Sequence, residues 1–217
     1  QTDLRDKILG AQAHVLLQDQ FGRPLPDDAG ILGRIRAVPG VIAVSPFVTG
    51  QSVLRVGRQA MGAVIKGVDP VGESQVATLD RAMPRDWVAR LTAGEVILGA
   101  ELARNLGARA GDDVVAVSPF ALASPVGLVP RMFKFRVGGV FSSGLYEYDS
   151  TLAYANLETA RRLFDLPGRV SGIAVRGGDP FQAALMAERV QLALGTPYWA
   201  RDWTQTNRNL FSALALE

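Results

Sequence analysis

The order of apolar and polar residues in this 217-residue chain alternates between the two-residue period of a strand and the longer period of a helix. The clearest case is residues 95–117, in which a short apolar run with β character precedes a helical pattern over residues 100–106. Gly107 follows at the C-cap position, where glycine adopts the left-handed conformation without a Cβ clash. A second β-branched run begins at Val114. The stretch therefore predicts strand, helix, tight turn and strand.

The amino-terminal part of the chain predicts a β-α-β module followed by a hairpin. Asp28 is a suitable N-cap for a helix over residues 29–37, whose apolar positions recur on one face. Gly57-Arg58 separates the last two β runs and predicts the hairpin turn. Residues 1–10 are interpreted as the end of a further helix. The predicted strands are residues 13–17, 41–44, 51–56 and 59–68.

The carboxy-terminal part predicts a second module of the same plan. Asn156 is an N-cap for a helix over residues 157–164, and Asp179-Pro180 begins a longer amphipathic helix that ends at residue 194. Strands are predicted over residues 152–155, 171–175 and 198–200. Two such modules around a β-rich middle predict an α+β fold, in which a split β-α-β lobe carries an inserted lobe.

Two stretches of the middle region lack a clear period. Residues 71–90 predict loops with one short helix. Residues 118–130, SPFALASPVGLVP, carry three prolines and no charge, and they predict an apolar loop between two β runs. A proline-stiffened apolar loop is either a docking element that loses little entropy on binding or a segment folded onto its own domain. The residues alone leave both interpretations open.

Composition excludes several classes of function. The chain has 23 basic and 21 acidic residues and no cysteine, so disulfides, thiolate catalysis and cysteine metal sites are ruled out. The sequence has no cluster of basic residues with interleaved aromatics, so it does not favour a nucleic-acid partner. No run of about 18 apolar residues occurs, and the first residue is Gln1, so we expect a fragment or a processed product of a larger protein.

Candidate catalytic groups are few. His14 is the single histidine, which makes a metal or catalytic role a poor interpretation. Two carboxylates and two phenols lie together at Tyr146, Glu147, Tyr148 and Asp149, but no nucleophile or oxyanion site accompanies them. No phosphate-binding glycine motif is present either. We therefore expect a domain without catalytic function or cofactor, and turnover in an activity screen would contradict this.

Several phrases of the sequence resemble one family of transporter domains. The stretch VILGAELARNLGARAGDDVVAVSP resembles a pattern of extracytoplasmic domains in ABC-transporter permeases of the MacB/FtsX type, and most of all the lipoprotein-releasing subunits LolC and LolE. The phrases VPGVIAVSPFV, IKGVDP and YANLETARRLF occur in the same order as in that family. The resemblance implies a Porter-like lobe over residues 11–56 and 171–203 and a Sabre-like lobe over residues 57–170. Residues 1–10 and 204–217 would then lead to transmembrane helices.

The resemblance also implies a function. In LolC-type subunits a β-hairpin, the Hook, binds the periplasmic lipoprotein carrier LolA, and residues 118–132 correspond to it. Ala123 stands where the family has an aromatic residue, and the predicted contacts are Ser124, Pro125, Val126, Gly127, Leu128 and Arg131. The other implied partners are a second permease subunit (LolE-like or an identical copy), a LolD-like cytoplasmic ATPase and lipoprotein cargo.

The implied location is the inner membrane of a Gram-negative bacterium, with this fragment on the periplasmic side. The alternative is a MacB/FtsX-like domain that binds an adaptor or activates a cell-wall hydrolase.

Overall fold

A computed structural model of the chain describes residues 13–79, 82–124 and 127–206. The helix predicted over residues 1–10 lies outside these ranges, as does most of the segment predicted over residues 204–217. None of the helices within the described ranges is long and apolar enough to span a bilayer.

The chain packs as two units. The first is made from Gln1–Pro46, Gly72–Thr78 and Arg169–Glu217, and the second from Phe47–Val71 and Leu79–Gly168. Strand β3, Val41–Val56, contributes its first residues to one unit and the remainder to the other. The second unit thus begins ten residues before the lobe boundary that the sequence suggests at residue 57, and Gly72–Thr78 belongs to the first.

The elements of the first unit, in chain order, are β1 Val15–Asp19, β2 Leu25–Pro26, α1 Ala29–Arg36, α2 Pro70–Val76 (whose first two residues fall in the second unit), β9 Arg169–Val170, β10 Gly172–Gly177, a 3₁₀ turn Pro180–Gln182, α7 Ala183–Leu194, β11 Tyr198–Asp202 and α8 Trp203–Thr206. Its main sheet has the order β11-β1-β10-β3, and β2 pairs separately with β9. Val15 of β1 lies opposite Val175 on one side and Asp202 on the other, both in antiparallel register. Asp28 caps the first helix as predicted, by accepting a hydrogen bond from Gly30 N at 2.8 Å.

The second unit is a circuit of six strands. Its elements, in chain order, are β3, β4 Gln59–Val68, α3 Trp87–Thr92, β5 Val96–Gly99, α4 Ala100–Leu106, β6 Asp113–Ser124, β7 Gly127–Phe141, α5 Tyr146–Thr151, β8 Leu152–Asn156 and α6 Leu157–Phe164. The strand order is β3-β4-β8-β5-β7-β6, and β6 pairs again with β3, so each strand has a neighbour on both sides. The core includes Leu54, Ile97 and Leu102, all at most 2% exposed.

Local signals in the sequence predict most of these elements. Gly107 ends α4 in the left-handed region at φ 65°, and Gly57 turns the β3–β4 hairpin at φ 56°. Asn156 caps α6 by accepting from Thr159 N at 2.8 Å. These predictions are confirmed. The sequence could make them because each feature depends on contacts within a few residues.

Two predictions are wrong. Residues 71–90 contribute to two helices, α2 and α3, where the sequence predicts one. The loop predicted over residues 118–130 is instead a continuation of β6 and β7. Prolines are compatible with this because each outer edge of a two-stranded ribbon needs no ladder hydrogen bond, so a residue without an N–H is accepted there.

Candidate functional site

The arm, which we define as residues 118–132, is the part of the β6–β7 hairpin that extends past the sheet. Strand β3 pairs with β6 only as far as Val53 opposite Val117, and β5 pairs with β7 only from Val137 onward. Within the described residues, the strands of the arm therefore have only each other as ladder partners. With about 3.3 Å per residue, the five steps from Met132 to Gly127 make the arm about 17 Å long.

A bulge lies where the arm begins. Val117 is opposite Met132 and Ala121 is opposite Pro130, so three residues of β6 lie opposite Arg131 alone. Extra residues on one strand bend the hairpin and redirect its side chains. We therefore expect the arm to bend away from the direction of the preceding strand residues at this bulge.

The tip is a short connection. Ser124 pairs with Gly127, and Ala123 pairs with Leu128, so two residues join the strands. Gly127 has φ 113°, a backbone conformation that residues with a Cβ atom rarely adopt. Pro125 and Val126, both predicted contact residues, lie outside the described residues.

Large apolar side chains of the arm are exposed. Phe120 is 49% exposed, Val129 45% and Met132 60%. Their neighbour Lys134 forms an ion pair with Asp113 at 2.9 Å between Nζ and Oδ2. An apolar surface on a projecting ribbon is suited to protein binding, since burying it on a partner removes it from water.

Arg131 contacts its own unit. Its Nη1 lies 3.7 Å from Oδ1 of Asp165, and its guanidinium lies 5.3 Å from the centre of the Phe133 ring. The side chain is 28% exposed. Arg131 is the one charged residue among the six predicted contact residues, and its charge already has partners within the second unit.

Ser118 has a role that the sequence did not predict. Its hydroxyl donates to the carbonyl oxygen of Leu163 at 2.6 Å and accepts from Phe120 N at 3.1 Å. Ser118 is 4% exposed. No sequence signal indicates this contact, because the two partners are 45 positions apart.

A shallow groove of about 490 Å³ lies beside the base of the arm. Its walls come from β3, β4, the first residues of the arm and the end of α5, and they are mainly apolar. The lining residues include Val53, Ala63, Val117, Pro119 and Thr151. The exposed apolar surface of the arm therefore continues onto the body of the second unit.

The acidic stretch over residues 146–149 begins α5, and Asp149 holds the turn that precedes this helix. Asp149 is 5% exposed, and its carboxylate accepts from Ser143 N at 2.8 Å, from the Ser143 hydroxyl at 2.8 Å and from Gly144 N at 3.3 Å. Tyr146, by contrast, is 69% exposed. The carboxylate thus ties the preceding turn to α5, and its hydrogen-bonding capacity is directed into the protein.

His14 is packed inside the first unit. It is 6% exposed, and its Nδ1 accepts a hydrogen bond from Gly177 N at 3.2 Å. Burial lowers the pKa of His14 below its usual value near 6.5, and the positive charge of Arg176 lowers that pKa further. The neutral imidazole is therefore the form that the folded state prefers.

The free energy of unfolding should fall as pH drops below about 6.5, because the unfolded chain then binds a proton that folded His14 resists. The contribution of neutral His14 to the free energy of unfolding is fully present well above pH 6.5. It is lost as the pH falls toward the lower pKa of His14 in the folded state. Urea unfolding between pH 7.5 and 5.5 measures it. The His14→Gln variant should show a shallower dependence on pH over that interval. Equal slopes in the two proteins would contradict the assignment.

The comparisons with known proteins agree with this architecture. The model of the family described as MacB-like periplasmic core domain matches residues 2–193. The chain belongs to this family. A MacB-like domain accounts for the α+β fold, with its mixed sheets and the helices packed on them.

Curated relatives place the chain closer to one branch. It is 36% identical over 181 residues to the lipoprotein-releasing system transmembrane protein LolC of Neisseria meningitidis serogroup B, covering 82% of this chain and 44% of that protein. It is 32% identical over 219 aligned positions to LolC of Xylella fastidiosa, and this alignment covers 100% of this chain and 52% of that protein. The chain thus spans about half the length of the curated relatives it matches, and it is a LolC-like domain of the MacB family.

Solved structures show the same fold at low identity. The extracellular domain of the noncanonic ABC-type transporter YknZ from Gram-positive bacteria superposes with a TM-score of 0.55 at 16% identity, covering 88% of this chain and 99% of that one. The periplasmic region of MacB from Actinobacillus actinomycetemcomitans superposes with a TM-score of 0.54 at 14% identity, covering 97% of this chain and 98% of that one. The MacB-like fold is therefore kept while most side chains differ.

Proposed function

We propose that this MacB-like domain is the periplasmic part of an inner-membrane ABC transporter permease that releases lipoproteins in a Gram-negative bacterium. The domain recruits a LolA-type periplasmic carrier, which accepts the lipoprotein. ATP hydrolysis takes place in a LolD-like cytoplasmic subunit, and a LolE-like permease or an identical copy completes the membrane part. The similarity to LolC over most of the chain supports this assignment.

Within the domain, the first unit is the Porter-like lobe and the second is the Sabre-like lobe. The observation that carries the proposal is the arm, a two-stranded ribbon about 17 Å long that exposes Phe120, Val129 and Met132. The described strand residues of the arm are already paired before binding, so association loses less conformational entropy than it would with an unpaired loop. We assign the carrier contact to the tip and its return strand, at Ser124, Pro125, Val126, Gly127, Leu128 and Arg131.

Replacing Val126 by glutamate should weaken binding of a LolA-type carrier at least tenfold, because a charge would have to be desolvated in an apolar interface. Val126→Ala should weaken it less. The measurement is carrier capture by the immobilised 217-residue chain, followed by titration calorimetry. The matched control is Val71→Glu, since Val71 is 55% exposed and lies on α2, away from the arm in sequence.

Thermal unfolding of all three variants should match that of the parent chain, because residue 126 lies in the connection between Ser124 and Gly127 and Val71 is 55% exposed. Unchanged carrier affinity in Val126→Glu would contradict the contact assignment. A parent chain that binds no carrier, but does bind a membrane-fusion adaptor or a cell-wall hydrolase, would replace the proposal with the alternative function.

A further inference from the structure

Both strands of the arm are attached to the same helix end at the point where they leave the sheet. On β6, the buried Ser118 hydroxyl donates to Leu163 O at 2.6 Å. On β7, Arg131 pairs with Asp165, two residues further along the chain. Because the bulge places Ser118 opposite Arg131, the two contacts lie at the same level of the arm. The carboxyl end of α6 thus holds the arm across its full width.

Asp165 has an unusual backbone conformation for its type. Its φ is 54°, and among the described residues it is the one non-glycine residue with positive φ. Helices that end in this left-handed conformation usually carry glycine there, or asparagine. The structure uses an aspartate instead, and its carboxylate, which is 67% exposed, reaches Arg131. The acidic group therefore supplies a contact that the preferred residues would not.

Arg131 is held from two sides. Asp165 lies on one, and the Phe133 ring lies under the guanidinium at 5.3 Å. Phe133 itself is parallel to Phe135, with ring centres 6.4 Å apart and an interplanar angle of 6°. Phe135 is part of the buried core of the second unit. A chain of packed side chains therefore leads from the base of the arm into the body that carries it.

We propose that Asp165 and Ser118 are positioning residues that fix the direction of the arm. An isolated two-stranded ribbon is marginally stable in water, so its orientation depends on the contacts at its base. With these contacts intact, the exposed apolar side chains are presented to a partner in one arrangement. This inference rests on the proposed function for its binding measurement, but its structural part is tested without any partner.

The first test follows the motion of the arm directly. The chain has no cysteine, so Val129→Cys provides a single site for a nitroxide label on an exposed position of the arm. In the otherwise unchanged chain, the electron paramagnetic resonance spectrum of the label should be broad, as expected for a label whose motion is restricted. Adding Asp165→Asn or Ser118→Ala should increase the mobile fraction at least twofold. Adding Glu101→Gln, which removes a comparable surface ion pair with Arg104 on α4, should leave the spectrum unchanged.

A charge exchange separates positioning from a general structural effect. Arg131→Asp alone should mobilise the label, because it places two carboxylates together at the base of the arm. Combining it with Asp165→Arg should restore the restricted spectrum. Asp165→Gly is the complementary variant, since it suits the backbone conformation and still removes the carboxylate. It should leave the melting temperature unchanged or higher and nevertheless mobilise the label.

The second test measures carrier affinity with unlabelled protein. Asp165→Asn and Asp165→Gly should each weaken binding about two- to fivefold, which is the range expected for the loss of a partly exposed ion pair. Ser118→Ala should weaken it up to about tenfold, as expected for a lost buried hydrogen bond. Glu101→Gln should bind like the parent.

The outcomes distinguish this inference from the proposed function. If the parent chain does not bind the carrier, the proposed function fails, and the label mobility still decides whether the two residues position the arm. If the carrier binds but the label is equally restricted in all variants, the positioning inference is overturned. Carrier affinity that falls without a change in label mobility also overturns it, because Asp165 would then be a direct contact.

Discussion

Replacing Gly67 by alanine should lower the free energy of unfolding by about 3 kcal/mol, the upper part of the range for overpacking a core. Gly67 lies on β4 opposite Ala155 of β8, and α6 crosses directly over it. A Cβ at this position would overlap the methyl group of Ala160 and approach the carbonyl oxygen of Asn156 to 3.2 Å. Neither atom belongs to a flexible side chain, so strand and helix would have to separate.

Urea unfolding of the purified chain measures this effect, and the same strand offers a control. A Cβ at Gly62 of β4 would meet no atom within 4 Å. Gly62→Ala should therefore change stability by less than about 1 kcal/mol, with a small gain expected because alanine restricts the unfolded chain. The double variant Gly67→Ala with Ala160→Gly should recover part of the loss. If Gly67→Ala and Gly62→Ala were equally stable, close packing of α6 on β4 would be excluded.

Replacing Asp149 by alanine should destabilise the second unit by about 3 kcal/mol, because a buried carboxylate that accepts several hydrogen bonds from partly buried donors would be lost. The carboxylate is the shared acceptor for Ser143 N, the Ser143 hydroxyl and Gly144 N. The backbone of Asp149 also packs against Gly99 so closely that no side chain could be added there. Loss of the carboxylate therefore loosens the connection between the turn at Ser143–Gly144 and α5, the helix whose backbone packs on Gly99 of β5.

Asp149→Asn tests the same network with less loss of volume. It should cost about 2 kcal/mol, since the amide nitrogen cannot accept the hydrogen bonds that the second carboxylate oxygen accepts. Glu147→Gln on the same helix is the control and should be neutral within about 0.5 kcal/mol, because Glu147 is exposed. Thermal unfolding followed by circular dichroism measures all three. A neutral Asp149→Ala would show that the turn is held by other contacts.

The arm illustrates how far the sequence pattern could lead. Its apolar, proline-containing composition marked residues 118–130 as unusual, and the family resemblance predicted a hairpin there. The pattern alone predicted a loop, because three prolines in thirteen residues are typical of one. The structure shows strands, since the outer edges of a ribbon that has left the sheet require no N–H donors.

The sequence by itself determined the short-range features of this protein: the caps at Asp28 and Asn156, the left-handed turns at Gly57 and Gly107, and the order of motifs that indicates a MacB-like domain. These follow from residue types that interact within a few positions of each other. Only the tertiary structure decided that the six strands of the second unit form a closed circuit, and that α6 contacts the arm through Leu163 and Asp165. Such contacts join residues far apart in the chain, and packing of the whole unit selects them.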